Sequence, residues 1–363
     1  MRTLLAALLV SCAIGRAGTV FLPAYPHHVI AVNEADGKVT DVIPLETGMP
    51  LNIRLSDDRK FIYVATVDHN GIEVIDVAAR KVVNHFVLDS ARKQYRFNWM
   101  GGGTPDSSNK FYYTVTREIT KGVDRFEADK PKYSVIDLAQ QKIVRTADVA
   151  PEDEAANEGG PGRGGFDISP DGKYLYQFRD SVVVIDTSDF KVVQRIPLAK
   201  PELEAVENLN FGAALPSIHD PGQRTSLFFS ADPYVHNRIF GIGRFDLNSR
   251  QFSFAPIGPA PAAMFGLEVT PDRKTAYSVI TSGRLGTRRC EFWAFDLQSN
   301  RVSQTSEVPC HSRFTFGMSS DGKKLYMYGE GFEIDVYDAA TMKHEATWDL
   351  GRDVTYGGIV VIP

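Results

Sequence analysis

Residues 166–198 read FDISPDGKYLYQFRDSVVVIDTSDFKVVQRIPL, and this stretch decides the fold. It contains four short runs rich in Val, Ile, Tyr and Phe, and the segments between them are rich in Asp, Gly, Ser and Pro. Residues of the first group favour β-strands, whereas those of the second favour tight turns. The four runs are residues 166–169, 174–179, 182–186 and 192–198. We therefore predict a four-stranded antiparallel meander, which cannot bury both of its faces alone and needs neighbours of its own kind.

The same pattern recurs along the chain, at residues 54–88, 268–308 and 317–350. In each copy the third apolar run ends in an acid or amide that is followed by a polar turn. Seven residues hold this position: Asn33, Asp76, Asp137, Asp186, Asp246, Asp296 and Asp338. They are 43, 61, 49, 60, 50 and 42 residues apart, and a four-stranded repeat with a period near 40 is typical of propeller blades. The sequence therefore predicts an all-β fold, a seven-bladed β-propeller of four-stranded antiparallel blades.

Two runs in the second copy resemble a known repeat family. Residues 61–67 read FIYVATV and residues 71–76 read GIEVID, which is similar to the YVTN repeat of exported bacterial seven-bladed propellers. The resemblance covers nearly all of the chain after residue 18. The repeat layout, with a long third-blade insertion that ends in KPKYSVID at residues 130–137, is also similar to the propeller subunits of quinoprotein amine dehydrogenases, especially the β subunit of the quinohemoprotein type. In those enzymes the quinone cofactor and the haem are on other subunits, so the resemblance implies that this chain need not hold catalytic groups, and we expect no cofactor in it.

The composition is that of a globular protein, with 43% hydrophobic and 23% charged residues. No shift in composition interrupts the repeats, so residues 18–363 are predicted to form a single domain. The net charge of −5 and the isoelectric point of about 5.9 argue against a nucleic acid as partner. After residue 18, no apolar stretch approaches the length of a transmembrane helix.

Residues 1–17 have the features of an export signal, with a charged start at Arg2, a short apolar core, and small residues at Gly15 and Ala17. We predict cleavage after Ala17 and therefore a periplasmic, secreted or cell-surface protein. The alternative is lipoprotein processing, because residues 9–12 read LVSC and would leave Cys12 as the lipid-bearing residue.

Two cysteines remain in the exported chain, Cys290 and Cys310, an even number for an oxidising compartment. Both are ten residues from Asn300, the centre of a predicted hairpin turn. Opposed positions of an antiparallel pair have Cα atoms about 4.5–5.5 Å apart, a distance that a disulfide can bridge. The spacing therefore predicts a Cys290–Cys310 disulfide, and the alternative is two unlinked thiols.

The first copy of the repeat is incomplete. Residues 19–25, 29–33 and 38–45 supply a second, third and fourth strand, but no innermost strand precedes them. Residues 356–363, which read YGGIVVIP, match the innermost strand of other copies, such as FGLEVTP at 265–271. We therefore predict that the C-terminal strand pairs with the N-terminal blade and closes the ring, which removes exposed sheet edges.

Polar residues recur on the innermost strands. When these strands are aligned on a shared Ser or Thr, Arg54, Asp167 and Glu268 occupy the same position, and the two-residue period of a strand predicts that they share the wall of a central channel. We expect Arg54 to form an ion pair with Asp167 or Glu268 and so to fill the channel, because an unpaired buried charge is costly. The alternative is that these residues bind a ligand or act in catalysis.

The loops from fourth to first strand and from second to third strand open on one face of a propeller, and here they are long, as at residues 117–132. Long loops on a rigid scaffold are frequent sites of function. The candidate binding residues on this entrance face are His69, Trp99, Arg117, His236 and Arg313. The histidines are scattered without the spacing of metal ligands, so no metal site is predicted. The GxGxxG match at residues 160–165 precedes a strand, which argues against dinucleotide binding.

These patterns lead to three functional hypotheses. The first is an exported, non-catalytic propeller that binds another protein subunit or a small ligand, with an amine-dehydrogenase-like redox complex as the partner that the resemblance implies. The second is a propeller hydrolase, for instance a lactonase, that uses Glu268 and Asp167 at the channel mouth. The third is a cell-surface adhesion or glycan-binding module. A scaffold predicts paired charges in the channel, whereas catalysis predicts carboxylates and histidines that converge on an open pocket.

Overall fold

The computed structural model describes residues 18–68, 71–97, 103–154, 166–178, 181–199, 209–211, 222–230, 238–284, 286–311, 314–329, 331–354 and 357–363. The predicted export signal, its cleavage after Ala17 and the alternative lipid attachment at Cys12 lie outside these residues. Within the described ranges, no helix is both long enough and apolar enough to cross a membrane.

Seven antiparallel sheets form the blades of a ring, as the repeats predicted. The strands of blades one and two are β1 Thr19–Ala24, β2 His28–Asn33, β3 Val39–Pro44, β4 Pro50–Leu55, β5 Phe61–Thr66, β6 Gly71–Asp76 and β7 Lys81–Val87. In the described part of the chain, blade three has six strands, namely β8 Lys93–Phe97, β9 Thr104–Pro105, β10 Phe111–Lys121, β11 Phe126–Ala128, β12 Lys132–Asp137 and β13 Lys142–Asp148. It is followed by a single helical turn, α1 Pro151–Glu154.

The remaining blades repeat the same order. Blades four and five contain β14 Asp167–Ile168, β15 Tyr174–Phe178, β16 Ser181–Asp186, β17 Val192–Pro197, β18 Leu209–Phe211, β19 Gln223–Ser230, β20 Ile239–Asp246 and β21 Phe252–Pro259. Blades six and seven contain β22 Ala263–Met264, β23 Glu268–Val269, β24 Thr275–Ser282, β25 Arg289–Asp296, β26 Arg301–Val308, β27 Thr315–Met318, β28 Lys324–Tyr328, β29 Glu333–Asp338 and β30 His344–Asp349. The last strand, β31 Val360–Ile362, belongs to blade one.

One turn recurs at the end of the third strands and explains the acid or amide found there. In blade five, the Asp246 carboxylate accepts hydrogen bonds from the backbone N–H groups of Ser249 and Asn248 at 2.6 and 2.9 Å. These two bonds, the one from Ser249 first, hold the pKa of Asp246 below its usual value. Four residues after the acid, Arg250 takes a left-handed conformation (φ 60°). The equivalent left-handed residues of the other blades are Gly37, Arg80, Gln141, Phe190, Asn300 and Met342. The turn itself therefore requires these acids and amides.

The C-terminal strand closes the ring as predicted. β31 pairs antiparallel with β1, so that Val360 lies opposite Phe21 and Ile362 lies opposite Thr19. Just before β31, the Gly357 carbonyl accepts a hydrogen bond from the Ile53 N–H of blade two at 2.9 Å. The innermost strand of blade one thus comes from the other end of the chain and also contacts the neighbouring blade.

The hydrophobic core lies between neighbouring blades, because each sheet presents an apolar face to the next. Between blades four and five, for example, the buried rings of Tyr176 and Phe245 pack edge to face with centroids 5.3 Å apart. The Tyr176 hydroxyl donates to the Leu247 carbonyl at 2.7 Å, which satisfies its polar end. Packing of this kind buries the apolar sheet faces that an isolated meander would expose to solvent.

Cys290 and Cys310 form the predicted disulfide, with Cα atoms 5.3 Å apart. The register differs from the prediction in one detail, because the residue opposite Cys290 is Val308. The hairpin turn is enclosed by the pair Asp296 and Arg301, so its centre lies before Asn300. Cys310 is two residues beyond Val308, past the end of β26, and still comes within bonding distance of Cys290.

The prediction of a loop at residues 117–132 was wrong. β10 continues through this region to Lys121, and β11 pairs with its end over three residues. On its other side the same part of β10 pairs with β8. Pairing with β8 and β11 gives the backbone N–H and C=O groups of this part of β10 hydrogen-bond partners. An open loop would leave these groups without such partners. We call this extension, formed by β8, β11 and residues 116–125, the arm of blade three.

Candidate functional site

Three residues predicted for the channel wall occupy equivalent positions on innermost strands. Arg54 lies on β4, Asp167 on β14 and Glu268 on β23. In each case the residue opposite on the second strand is a tyrosine, namely Tyr63, Tyr176 and Tyr277. The alignment of the repeats therefore placed all three residues at the correct register position.

Two guanidinium groups converge on the Asp167 carboxylate. Arg224 Nη1 donates to Asp167 Oδ2 at 2.6 Å, whereas Arg54 Nη2 lies 3.8 Å from Asp167 Oδ1. Arg224 comes from β19 of blade five, and its guanidinium lies 4.2 Å from the centre of the Phe178 ring. The side chains of Arg54, Arg224 and Asp167 are 28%, 17% and 25% exposed. The expected contact between Arg54 and Asp167 is present, but Arg224 is the closer partner.

Arg54 also bonds to the backbone of two other blades. Its Nη1 donates to the Phe166 carbonyl at 2.9 Å and to the Gly103 carbonyl at 3.3 Å. Gly103 precedes β9 of blade three, and Phe166 precedes β14 of blade four. Together with Arg224 of blade five, the Arg54–Asp167–Arg224 network links four successive blades. Charge-assisted hydrogen bonds of this kind are stronger than neutral ones, so the network stabilises this side of the ring.

Glu268 occupies the corresponding position of blade six but has no such partners. It is 5% exposed, and among the described residues its carboxyl makes no hydrogen bond or ion pair. Burial raises the pKa of Glu268 to about 8, which leaves the carboxyl largely protonated at neutral pH. On blade seven, burial first and the Glu268 charge second raise the pKa of Tyr328. The structure therefore does not bring Glu268 together with Arg54 or Asp167.

Of the five entrance-face candidates, Arg117 alone lies among the described residues. His69, Trp99, His236 and Arg313 lie outside the described residues. Arg117 lies on β10 at the base of the arm, half-buried, with Arg96 of β8 as its backbone partner. It is not part of the Arg54–Asp167–Arg224 network.

A buried carboxylate between blades one and two did not figure among the candidates. Glu73 is fully buried, and its Oε1 accepts hydrogen bonds from the N–H groups of Glu46 and Thr47 and from the Thr47 hydroxyl at 2.7, 2.6 and 2.8 Å. Nearby, His27 Nε2 lies 3.3 Å from Asp68 Oδ2 on the entrance face. These groups fix the loop that joins the two blades. In the parts of the chain that the structure describes, no group of three or more His, Cys, Asp or Glu side chains could hold a metal ion.

Arg224 is the residue of the Arg54–Asp167–Arg224 network that could not be found from the sequence. It is the second residue of β19, a second strand, whereas the aligned positions were those of the innermost strands. Its guanidinium crosses to the neighbouring blade, where Nε is buried without a hydrogen-bond partner among the described atoms. No local pattern marks such a contact, because it depends on how blades four and five pack against each other.

Comparisons with known proteins agree on the fold. No family model matches this sequence, and no curated protein matches it. Among solved structures, hydrazine synthase of Kuenenia stuttgartiensis is similar over 90% of each chain, with 15% identity and a TM-score of 0.51. Dihydro-heme d1 dehydrogenase NirN in complex with DHE is similar over 95% of this chain and 75% of its own, with 14% identity and a TM-score of 0.54. Apo AztD from Citrobacter koseri is similar over 95% of this chain and 98% of its own, with 15% identity and a TM-score of 0.53. At these identities the likeness shows a shared propeller fold alone.

Proposed function

We propose that this protein is an exported, non-catalytic β-propeller that acts as a binding or scaffold subunit. The observation that carries the proposal is the paired state of Asp167. Arg224 and Arg54 face its two carboxylate oxygens, so Asp167 is neutralised and held in place. A general base or nucleophile needs a free, positioned oxygen, and a paired carboxylate that links blades fits a scaffold better.

A hydrolase that uses Glu268 and Asp167 is the second candidate. One observation favours it, since a raised pKa keeps Glu268 protonated near neutral pH, as a general acid requires. An acid alone is insufficient, because hydrolysis also needs a base or nucleophile within reach of the same substrate. Asp167 is held by the two arginines and is not brought to Glu268.

The proposed partner is a redox protein that carries its own cofactor. The repeat layout resembles the propeller subunit of quinohemoprotein amine dehydrogenases, in which the cofactors lie on other subunits. Two proteins with a similar fold are described as a hydrazine synthase and a dihydro-heme d1 dehydrogenase. These likenesses are an analogy at the level of the fold, and they identify the class of partner to look for first.

The test is to purify the tagged protein from its native host and to measure composition, mass and visible absorbance together. We expect a second subunit in stoichiometric amount, with haem or quinone absorbance, and the same recovery for Glu268→Gln. A lone protein that hydrolyses lactones or esters, and that loses this activity in Glu268→Gln, would overturn the proposal in favour of the hydrolase.

A further inference from the structure

In the arm of blade three, the outer edge of β11 is not covered by another described strand. The Asp129 N–H donates to the Glu118 carbonyl at 2.9 Å, and the Gly122 N–H donates to the Arg125 carbonyl at 2.8 Å. The backbone N–H and C=O groups of residues 125 and 129 therefore point toward β10. Backbone groups alternate in direction along an antiparallel strand, so the N–H and C=O groups of Phe126, Ala128 and Lys130 face away from β10.

The outward side of this edge is open to solvent. Residues 122–130 are all exposed, Phe126 by 63%, and Val123 at the hairpin tip is fully exposed. Unpaired backbone groups beside exposed apolar side chains form a template for a further strand. Among the described residues, none makes a hydrogen bond to the outward backbone groups of Phe126, Ala128 or Lys130.

Pairing ends abruptly at the base of the arm. β12 pairs with β13 as far as the pair Lys132 and Asp148. The chain then leaves the sheet for α1, although the Val149 N–H still donates to the Pro131 carbonyl at 3.3 Å. An added strand next to β11 would therefore continue the line of β13.

A cleft of about 390 Å³ lies where the edge begins. It is lined by the charged residues Asp129, Lys130, Lys132, Asp148 and Glu154. Lys130 Nζ lies 2.9 Å from Glu154 Oε1, and Lys132 Nζ lies 3.8 Å from Asp129 Oδ2. Asp148 is exposed and makes no ion pair with the described residues, so the cleft carries one uncompensated negative charge.

We propose that the free edge of β11 binds an extended segment of a partner protein by strand addition, and that this segment carries an Arg or Lys that pairs with Asp148. Main-chain hydrogen bonds to Phe126, Ala128 and Lys130 provide the affinity, and the basic residue fixes the register. The inference rests on the proposed function, because it names the surface and the chemistry through which the scaffold holds its partner.

The first test uses a fluorescein-labelled heptapeptide of alternating valine and threonine with one arginine. Fluorescence anisotropy with the full-length protein should show saturable binding, and methylation of alternate peptide nitrogens should weaken it at least about tenfold, since it removes the main-chain donors. Ala128→Pro removes one outward N–H and should weaken binding to a similar extent, whereas the matched control Ala128→Val keeps that N–H and should bind like wild type. Asp148→Lys should reverse the preference from an arginine peptide to a glutamate peptide.

Absence of peptide binding, or equal affinity of Ala128→Pro and Ala128→Val, would overturn the inference. The same two variants separate it from the proposed function in the native-host purification. A partner that remains bound to Ala128→Pro refutes strand addition at the β11 edge but is consistent with the proposed scaffold function. Peptide binding without any partner in the purified sample supports strand addition at the β11 edge and refutes the proposed scaffold function.

Discussion

Asp167 and Glu268 occupy equivalent positions on two innermost strands, yet their surroundings are opposite. Asp167 is 25% exposed, and its nearer guanidinium partner is 2.6 Å away. Glu268 is 5% exposed and has no partner among the described residues. The next blade makes the difference, because Arg224 of blade five reaches back to Asp167, while Tyr328 of blade seven meets Glu268. The repeat determines the position of each carboxyl, and the neighbouring blade determines whether that carboxyl has an ion-pair partner.

The largest expected effect comes from titrating Glu268. Burial raises its pKa from 4.5 to about 8 in the folded protein, so the folded state binds an extra proton between these values. The stability that this proton confers is fully present below about pH 4.5 and is lost as the pH rises through about 8. We expect wild type to lose roughly 4–5 kcal/mol relative to Glu268→Gln between pH 4.5 and 9. Urea unfolding at several pH values measures this.

The control for this experiment is Glu307→Gln, which removes an exposed carboxyl from the same blade. Its pH dependence should follow wild type. If the unfolding free energies of wild type and Glu268→Gln instead remain parallel from pH 4.5 to 9, the carboxyl is solvated and the contrast with Asp167 disappears.

Arg224→Met should have the next largest effect, because it leaves Asp167 with only the 3.8 Å contact to Arg54. Removing one partner of a fully buried ion pair costs about 3–5 kcal/mol, and the partial exposure of Asp167 reduces this to about 2–3 kcal/mol. Urea unfolding at pH 7 measures the loss. The matched control is Arg250→Met, since the Arg250 guanidinium also stacks on a ring, 3.9 Å from the centre of Tyr174, but has no acidic partner among the described residues. Equal losses in both variants would attribute the effect to stacking.

A double-mutant cycle isolates the charge pairing itself. Asp167→Asn combined with Arg224→Met should be more stable than the sum of the single changes predicts, by about 1–2 kcal/mol, since the second substitution removes the charge that the first leaves unpaired. The two single variants and the double variant are compared by urea unfolding at pH 7. Strict additivity would mean that the 2.6 Å contact does not contribute to stability.

The smallest effect tests whether the two regions are independent. Arg54→Met should cost about 1–2 kcal/mol through its two carbonyl bonds. Combined with Glu268→Gln, the losses should add to within about 0.5 kcal/mol, because the two side chains share no partner. A larger coupling energy in the same assay would show that Arg54 and Glu268 influence each other.

Most of the fold could be predicted because its determinants are local. The acid that ends each third strand is required by the turn that follows it, as the bonds to Asp246 show, and such turns are visible in a single sequence. The closure by β31 could be predicted for the same reason, since the C-terminal residues carry the pattern of an innermost strand. The arm was missed because residues 117–132 read as an insertion, and nothing local indicates that β8 pairs with them.

The candidate site could be predicted only in part. Alternation along the strands gave the positions of Arg54, Asp167 and Glu268, but it could not give their partners. Arg224 reaches Asp167 across a blade interface, and its reach depends on packing that no spacing in the sequence reveals. The same limit applies to Glu268. It has no hydrogen-bond or ion-pair partner among the described residues, because the neighbouring blade supplies none.

The pairing of β1 with β31 has a consequence for the order of folding. Val20 and Val361 face each other although they are over 340 residues apart along the chain, whereas Asp167 faces Tyr176 of its own blade. Loop-closure entropy grows with the logarithm of this separation, which makes the β1–β31 contact about 3 kcal/mol more costly to form than a contact within one blade. We therefore expect β31 to dock after the other six blades have formed and to detach before they unfold. Refolding kinetics should then contain a late phase that depends on residues 357–363.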